Sequence, residues 1–209
     1  KFFIGKKGFI LNKSLFSEEE LENIRNELNF TPFTAMEYNN VEKPFKVYRE
    51  NSTHLYVPKF FGLEKFGTCE INNIPKGENI DLKFKLELKE EQKLPVEKTL
   101  KAYEEKGGGI LSLPCGFGKT ICGLYFISKI AKKTLIIVHK EFLMNQWIER
   151  INFALPDARV GIIQGSKYDI EDKDIIIGML QTLSMKDLSK DTFDDIGHVI
   201  IDECHRIPS

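Results

Sequence analysis

The sequence has no long apolar run, no excess of either charge, few cysteines and one tryptophan. Nothing in it approaches the roughly 20 consecutive apolar residues that span a bilayer, and its start lacks a signal-peptide pattern. No membrane partner is therefore expected. Lysine and arginine number 30 against 31 aspartate and glutamate, a net charge of −1. That excludes a strongly basic nucleic-acid module and leaves any electrostatic footprint local. The cysteines are Cys69, Cys115, Cys122 and Cys204, with no C-x-x-C pair. This spacing argues against a zinc site and a disulfide framework, and for a reducing intracellular setting in cytoplasm or nucleus. The first residue is lysine, so an internal or trimmed piece of a longer protein is expected.

What is present changes character near residue 90. Residues 1–85 alternate short apolar stretches with turn residues and predict a small α+β domain. Gly8 to Leu11 reads as a strand. Ser17 and Glu20 form a capping box that opens a helix through about Leu28, with Leu21, Ile24 and Leu28 on one face. Lys46 to Tyr48, His54 to Val57 and Asp81 to Leu88 read as further strands. Phe2, Phe3, Phe9, Phe60, Phe61 and Phe66, with Lys6, Lys7, Lys59 and Lys65, fit either a small core with a basic rim or a base-stacking surface. A recognition or guiding role is open.

Residues 86–209 repeat strand then helix. Gly109 to Leu113 reads as a buried strand, Lys119 to Lys132 as a helix, and Thr134 to His139 as an apolar strand. Glu141 to Phe153 has helical spacing. Strands follow at Arg159 to Gln164, Asp174 to Met179 and His198 to Asp202. Strands apolar on both faces and separated by helices predict an α/β domain with a parallel sheet, whose ligands sit at the carboxyl ends of the strands.

Leu113 to Thr120 reads L-P-C-G-F-G-K-T, a phosphate-binding loop with Leu113 where the strict pattern has glycine. Pro114, Cys115, Gly116, Phe117 and Gly118 form the loop, and its glycines let backbone amides converge on an anion. Lys119 brings a charge for the β- and γ-phosphates and Thr120 a hydroxyl for Mg²⁺. The bland alternative is a glycine-rich turn with an exposed lysine. Val199 to His205 reads V-I-I-D-E-C-H. Here Asp202 suits Mg²⁺ and Glu203 suits activation of the attacking water. Alone this box could be a surface turn; with the loop it predicts nucleotide hydrolysis. A small-molecule kinase and a silent binding module remain as competitors; the first explains the acidic box poorly, and the intact Lys119, Asp202 and Glu203 count against the second.

These two motifs resemble motifs I and II of superfamily 2 helicases of the DEAD/DEAH-box type. The resemblance implies a first RecA-like P-loop domain that binds ATP with Mg²⁺ and works on DNA or RNA. Other segments support it in order. Leu88 to Gln92 (L-K-E-E-Q) is similar to the element that reads adenine, with Gln92 in place and Lys89 where arginine is usual. His139 and Lys140 open a segment similar to motif Ia. Gln164 and Gly165, then Gln181 and Thr182, fill further strand-end loops that the family uses on nucleic acid. By resemblance His205 couples hydrolysis to the second motor domain. That domain, with its arginine finger, is expected to be missing here, leaving the piece alone inactive or nearly so. More narrowly, S-L-P-C-G-F-G-K-T, D-E-C-H and Leu55 to Gly67 resemble transcript-release helicases of poxviruses and other large DNA viruses, and related repair translocases. Partners in transcription or repair follow from that likeness. Trp147 reads as core packing beside Leu143 and Ile151, and Lys132 and Lys133 as a solvated helix end.

Overall fold

The computed structural model describes residues 2–31, 44–189 and 191–206. The chain divides into two compact units between Ile74 and Pro75, ahead of the boundary near residue 85 that composition suggests.

In the first unit, β1 (Phe3–Gly5), β2 (Gly8–Asn12), β5 (Arg49–Glu50), β6 (His54–Val57) and β7 (Ile71–Asn72) form a sheet in the order β5-β6-β2-β1-β7. A two-residue pair, β3 (Asn29–Phe30) and β4 (Phe45–Lys46), lies beside it in sequence. The capping box of α1 (Glu18–Glu27) forms as the sequence predicts, Ser17 accepting from the Glu20 amide and Glu20 accepting from the Ser17 amide. Period-2 alternation sends Ile4, Phe9, Leu11, Leu55 and Val57 to one face. There they bury against Leu21, Ile24 and Leu28 of α1 and its end, with Phe61, Leu63 and Phe66 of α2 (Lys59–Phe66) alongside. Phe9 is fully buried, ringed by Phe2 and Phe66 at 5.5 and 6.0 Å. Most of the N-terminal phenylalanines are therefore core. The strand expected at Lys46 to Tyr48 is instead split between β4 and β5, because Tyr48 turns in to pack on the core between them.

The second unit holds α3 (Glu90–Lys106), α4 (Lys119–Ile130), β8 (Thr134–Val138), α5 (Glu141–Ala154), β9 (Val160–Gln164), β10 (Lys167–Asp169), β11 (Ile175–Met179), α6 (Leu180–Met185) and β12 (His198–Ile201). Its sheet runs β10-β9-β11-β8-β12 and is parallel except for β10, which returns antiparallel on β9. Ile136, Val138, Ile175 and Ile177 face α4 and α5, meeting Leu124, Ile127, Met144, Trp147 and Ile151. Leu135, Ile163 and Ile176 face the other way, toward Leu183, Phe193 and Ile196. Each fully buried isoleucine is worth about 1.5–3 kcal/mol, so both faces hold the sheet. This is the expected α/β architecture.

Three local expectations are corrected. Asp81 to Leu88 forms no ladder among the described residues: it is an extended strap whose Leu82, Phe84 and Leu86 enter the core of the second unit. The amides of Lys85 within it and of Ile80 just before it donate to Ala154 and Ala131 at the ends of α5 and α4, satisfying carbonyls that helix ends leave open. Gly109 to Leu113 is also extended and unpaired among the described residues; Ile110 is 86% exposed while Leu111 and Leu113 pack on Val96, Cys122 and Phe126. Lys133 is buried rather than solvated: it pairs with Asp195, and Glu78 lies 3.8 Å away.

Candidate nucleotide and nucleic-acid site

The loop before α4 takes the form its glycines permit. Gly116 and Gly118 lie at φ 78° and 89°, a region L side chains rarely enter. A Cβ on Gly116 would meet nothing within 4 Å, whereas one on Gly118 would lie 2.6 Å from Gln92 Nε2. Gln92 is buried, and both ends of its amide are engaged. Its Oε1 accepts from the Lys89 amide at 2.9 Å, and its Nε2 donates to the Phe117 carbonyl at 2.7 Å. The glutamine thus latches the loop to the start of α3. Lys89 itself is largely exposed, 3.9 Å from Glu91. Pro114 and Cys115 are exposed at the loop's tip, and Phe117 is half-buried. Lys119 opens α4 and bends back, its ammonium donating to the Leu113 carbonyl at 3.3 Å. Thr120 follows on the first turn, half-buried.

At the far edge of the sheet, the Asp202 amide continues the ladder by donating to Ile137 at 3.0 Å. Glu203 turns to φ 55°, a strained position for a non-glycine residue, and its carboxylate lies 3.3 Å from His205 Nδ1. The two neighbouring carboxylates thus have different partners, Trp147 for Asp202 and His205 for Glu203. Sequence reading missed what holds Asp202: Trp147 of α5 donates its indole N–H to Asp202 Oδ2 at 2.9 Å. The same indole presses on α4, where a Cβ on Gly123 would lie 2.9 Å from Trp147 Cη2. The helix behind the loop and the acidic box therefore meet across one side chain. A buried indole N–H needs a partner, the one signal that could have exposed this contact.

The remaining candidates gather at the carboxyl ends of β9, β11 and β8. Gln181 donates to the His139 carbonyl at 3.3 Å, and Thr182 accepts from the Gly165 amide at 3.0 Å. Gln164 ends β9 beside this turn. Lys140 is exposed with its ammonium 5.8 Å from the Phe142 ring, and Phe142 is 61% exposed. Lys186 over Tyr168, at 4.8 Å, adds a pair the sequence did not suggest. The His139 imidazole Nδ1 is buried without a hydrogen-bond partner among the described residues.

A glycine-cradled lysine, an acidic box at the end of a parallel sheet and a row of strand-end loops thus lie within one α/β unit. Residues 85–209 match the family model described as the type III restriction enzyme, res subunit, and the chain belongs to that family. The protein L396 of Acanthamoeba polyphaga mimivirus, which carries the name of an ATP-dependent RNA helicase, is 32% identical over 209 residues, 98% of this chain and 40% of L396. QP509L of African swine fever virus, likewise named for an ATP-dependent RNA helicase, is 35% identical over 104 residues, 47% of this chain and 20% of its own length. The chain thus spans less than half of these relatives. The crystal structure of the UvsW helicase from bacteriophage T4 shares the fold, with a TM-score of 0.60 and 20% identity, over 92% of this chain and 78% of that one. Among the described residues no helix is long and apolar enough to cross a membrane, and no cluster of His, Cys, Asp and Glu could hold a metal ion by itself.

Proposed function

We propose that this chain is the nucleotide-binding part of an ATP-dependent helicase or translocase that hydrolyses ATP to move on DNA or RNA. The observation that carries the reading is the meeting of the P-loop helix and the acidic box across Trp147. The residues fit a magnesium nucleotide in kind: open backbone at Gly116, an ammonium at Lys119, a hydroxyl at Thr120, and a carboxylate at Asp202. Bound there, magnesium would neutralise charge on the β- and γ-phosphates. Lys119 binds the phosphates, Thr120 and Asp202 hold the ion side, and Glu203 takes a proton from the attacking water. Gln92, with Lys89 beside it, faces the base and reports its presence to the loop through the Phe117 carbonyl. His205, joined to Glu203, passes the state of the site onward. Lys140, Gln164, Gly165, Gln181, Thr182 and the His139 backbone grip the nucleic-acid strand.

The finer features, a DEAH-type acidic box, DNA as a substrate, and partners in viral transcription or repair inside an infected cell, belong to the same proposal. They rest on the D-E-C-H box and on the viral relatives. The test is ATP turnover by the whole protein with and without Lys119→Ala. Normal turnover in the variant would remove the assignment.

The first unit takes the recognition role in this reading. Its helices pack on one sheet face; across the other, Ile71, Phe3, Ile10, Tyr56 and Arg49 stand in one cross-strand row. Lys7 lies over Tyr56 at 5.0 Å, and the glutamates of α1 belong to the helix on the opposite face. Aromatic rings rimmed by cations suit stacked bases and phosphates.

A further inference from the structure

Trp147 carries two features that a core residue does not need. It is 3% exposed, on the α5 face that buries Met144, Ile151 and Ala154. A phenylalanine there would need no hydrogen-bond partner. The indole offers one donor and no acceptor, and that donor is spent on Asp202 Oδ2 at 2.9 Å. The contact therefore orients the carboxylate. Asp202 Oδ1 has no protein partner among the described residues. The carboxylate is thus held by one oxygen with the other presented. Glu203, by contrast, is joined to His205, one turn further on.

The indole is itself held tightly. Gly123 of α4 leaves room for it, with a Cβ there reaching Trp147 Cη2 at 2.9 Å and Cζ3 at 3.6 Å. Trp147 therefore touches the helix behind the phosphate loop and the acidic box at once. It rides on α5, whose first turn follows His139 and Lys140 at the end of β8. A shift of α5 along its axis carries the indole N–H with it, and Asp202 must follow or lose its donor.

We propose that Trp147 is a positioning residue for Asp202, fixing the carboxylate on the ion side of the nucleotide and tying it to the helix that follows the His139–Lys140 loop. The role rests on the proposed nucleotide site, but the hydrogen bond can be tested apart from it. Trp147 is the only tryptophan in the chain, so one indole N–H resonance and one tryptophan emission report the contact directly. In the folded 209-residue chain, Asp202→Ala should move that resonance and shift the emission, with the fold unchanged by circular dichroism. Trp147→Phe removes the donor and keeps an aromatic ring on the buried face of α5. Binding of a fluorescent ADP should then lose several-fold in its magnesium-dependent part, while binding in EDTA stays at the wild-type level. Gly123→Ala, which pushes on the indole, should move the resonance and change the magnesium dependence in the same direction by less.

A resonance that ignores Asp202→Ala overturns the hydrogen bond. Wild-type magnesium dependence in Trp147→Phe overturns the positioning role, since packing alone would then account for the residue. An equal loss with and without magnesium also overturns it, because that is the mark of a damaged fold. Lys119→Ala separates the two readings. If it retains nucleotide while Asp202→Ala still moves the indole, the nucleotide site is wrong and the contact stands as structure, which ends the proposal as well.

Discussion

The open sheet face of the first unit and the strand-end loops of the second present their polar and aromatic groups in opposite ways. On the sheet face, strand register fixes the row from Ile71 through Phe3, Ile10 and Tyr56 to Arg49. No residue in it can shift without breaking a backbone ladder. At the strand ends, Gly165, Thr182, Gln181 and His139 are joined by two hydrogen bonds between loops, each worth about 0.5–1.5 kcal/mol net. Such loops can change partners at little cost. A motor needs both kinds of surface: a grip that changes with nucleotide state, because a step requires two states of different affinity, and a hold that does not change. In the proposed reading, the strand-end loops of the second unit take the first role and the sheet face of the first unit takes the second.

The strongest way to break this assignment is at the chemistry. Glu203→Gln keeps shape and hydrogen bonding and removes the base. ATP hydrolysis by the whole protein should fall by about 10²- to 10⁴-fold, with nucleotide affinity kept in a filter-binding assay. Unchanged hydrolysis would place the base elsewhere. Lys119→Ala should cost turnover about 10²-fold or more and weaken nucleotide binding too, which distinguishes it from Glu203→Gln. Neither change should alter the affinity of the first unit's sheet face for a single strand.

A third test uses pH and touches only the second unit. His198 is buried at the start of β12, its Nδ1 3.2 Å from Thr134 Oγ1 and its ring against Tyr103 at 5.7 Å. Burial pushes its pKa down to about 4. Because the unfolded chain takes up this proton near pH 6.5, the stability due to neutral His198 is fully present above that pH. It is lost as pH falls toward 4, by about 3 kcal/mol in all. Urea unfolding followed at pH 7 and pH 5 should show the drop in the second unit, and His198→Asn should flatten it. A wild-type midpoint that does not move would show that His198 is not held neutral. The smallest effect is expected on the sheet face: Tyr56→Ala should weaken single-strand binding roughly five- to hundredfold, to the same extent with and without nucleotide. A loss that appears only with nucleotide would collapse the distinction between the two surfaces.

The second unit was the more legible in sequence, for a physical reason. Phosphate and metal chemistry restrict residue type at fixed spacing, so Gly116, Gly118, Lys119, Thr120, Asp202 and Glu203 could be picked out as candidates before any fold was known. Apolar runs gave the parallel strands because both faces of that sheet are buried. The same rule misread Gly109 to Leu113, where the run packs beneath α3 and α4 and pairs with no strand among the described residues. It misread Asp81 to Leu88 as well, since an alternating segment that covers helix ends looks like a strand. Lys133 was misjudged because its partners, Glu78 and Asp195, lie far off in the chain. Trp147 was half read: its helical face was visible, but the carboxylate it bonds is 2.9 Å away in space and remote in sequence. In the first unit no chemistry constrains the spacing. Only the capping box and the strand alternation could be read, and the row through Phe3 and Tyr56 emerged from register alone.

The most direct test of the central claim, that one sheet end carries both the ATP site and a nucleic-acid track, is the ATPase rate of the whole protein with and without a single-stranded oligonucleotide. The account predicts turnover that rises on adding the strand, a rise that falls away as salt screens the phosphate contacts, and no turnover in Lys119→Ala under either condition. Turnover that depends on Lys119 but ignores both DNA and RNA would contradict it, and would leave an ATPase whose strand-end loops serve some other ligand.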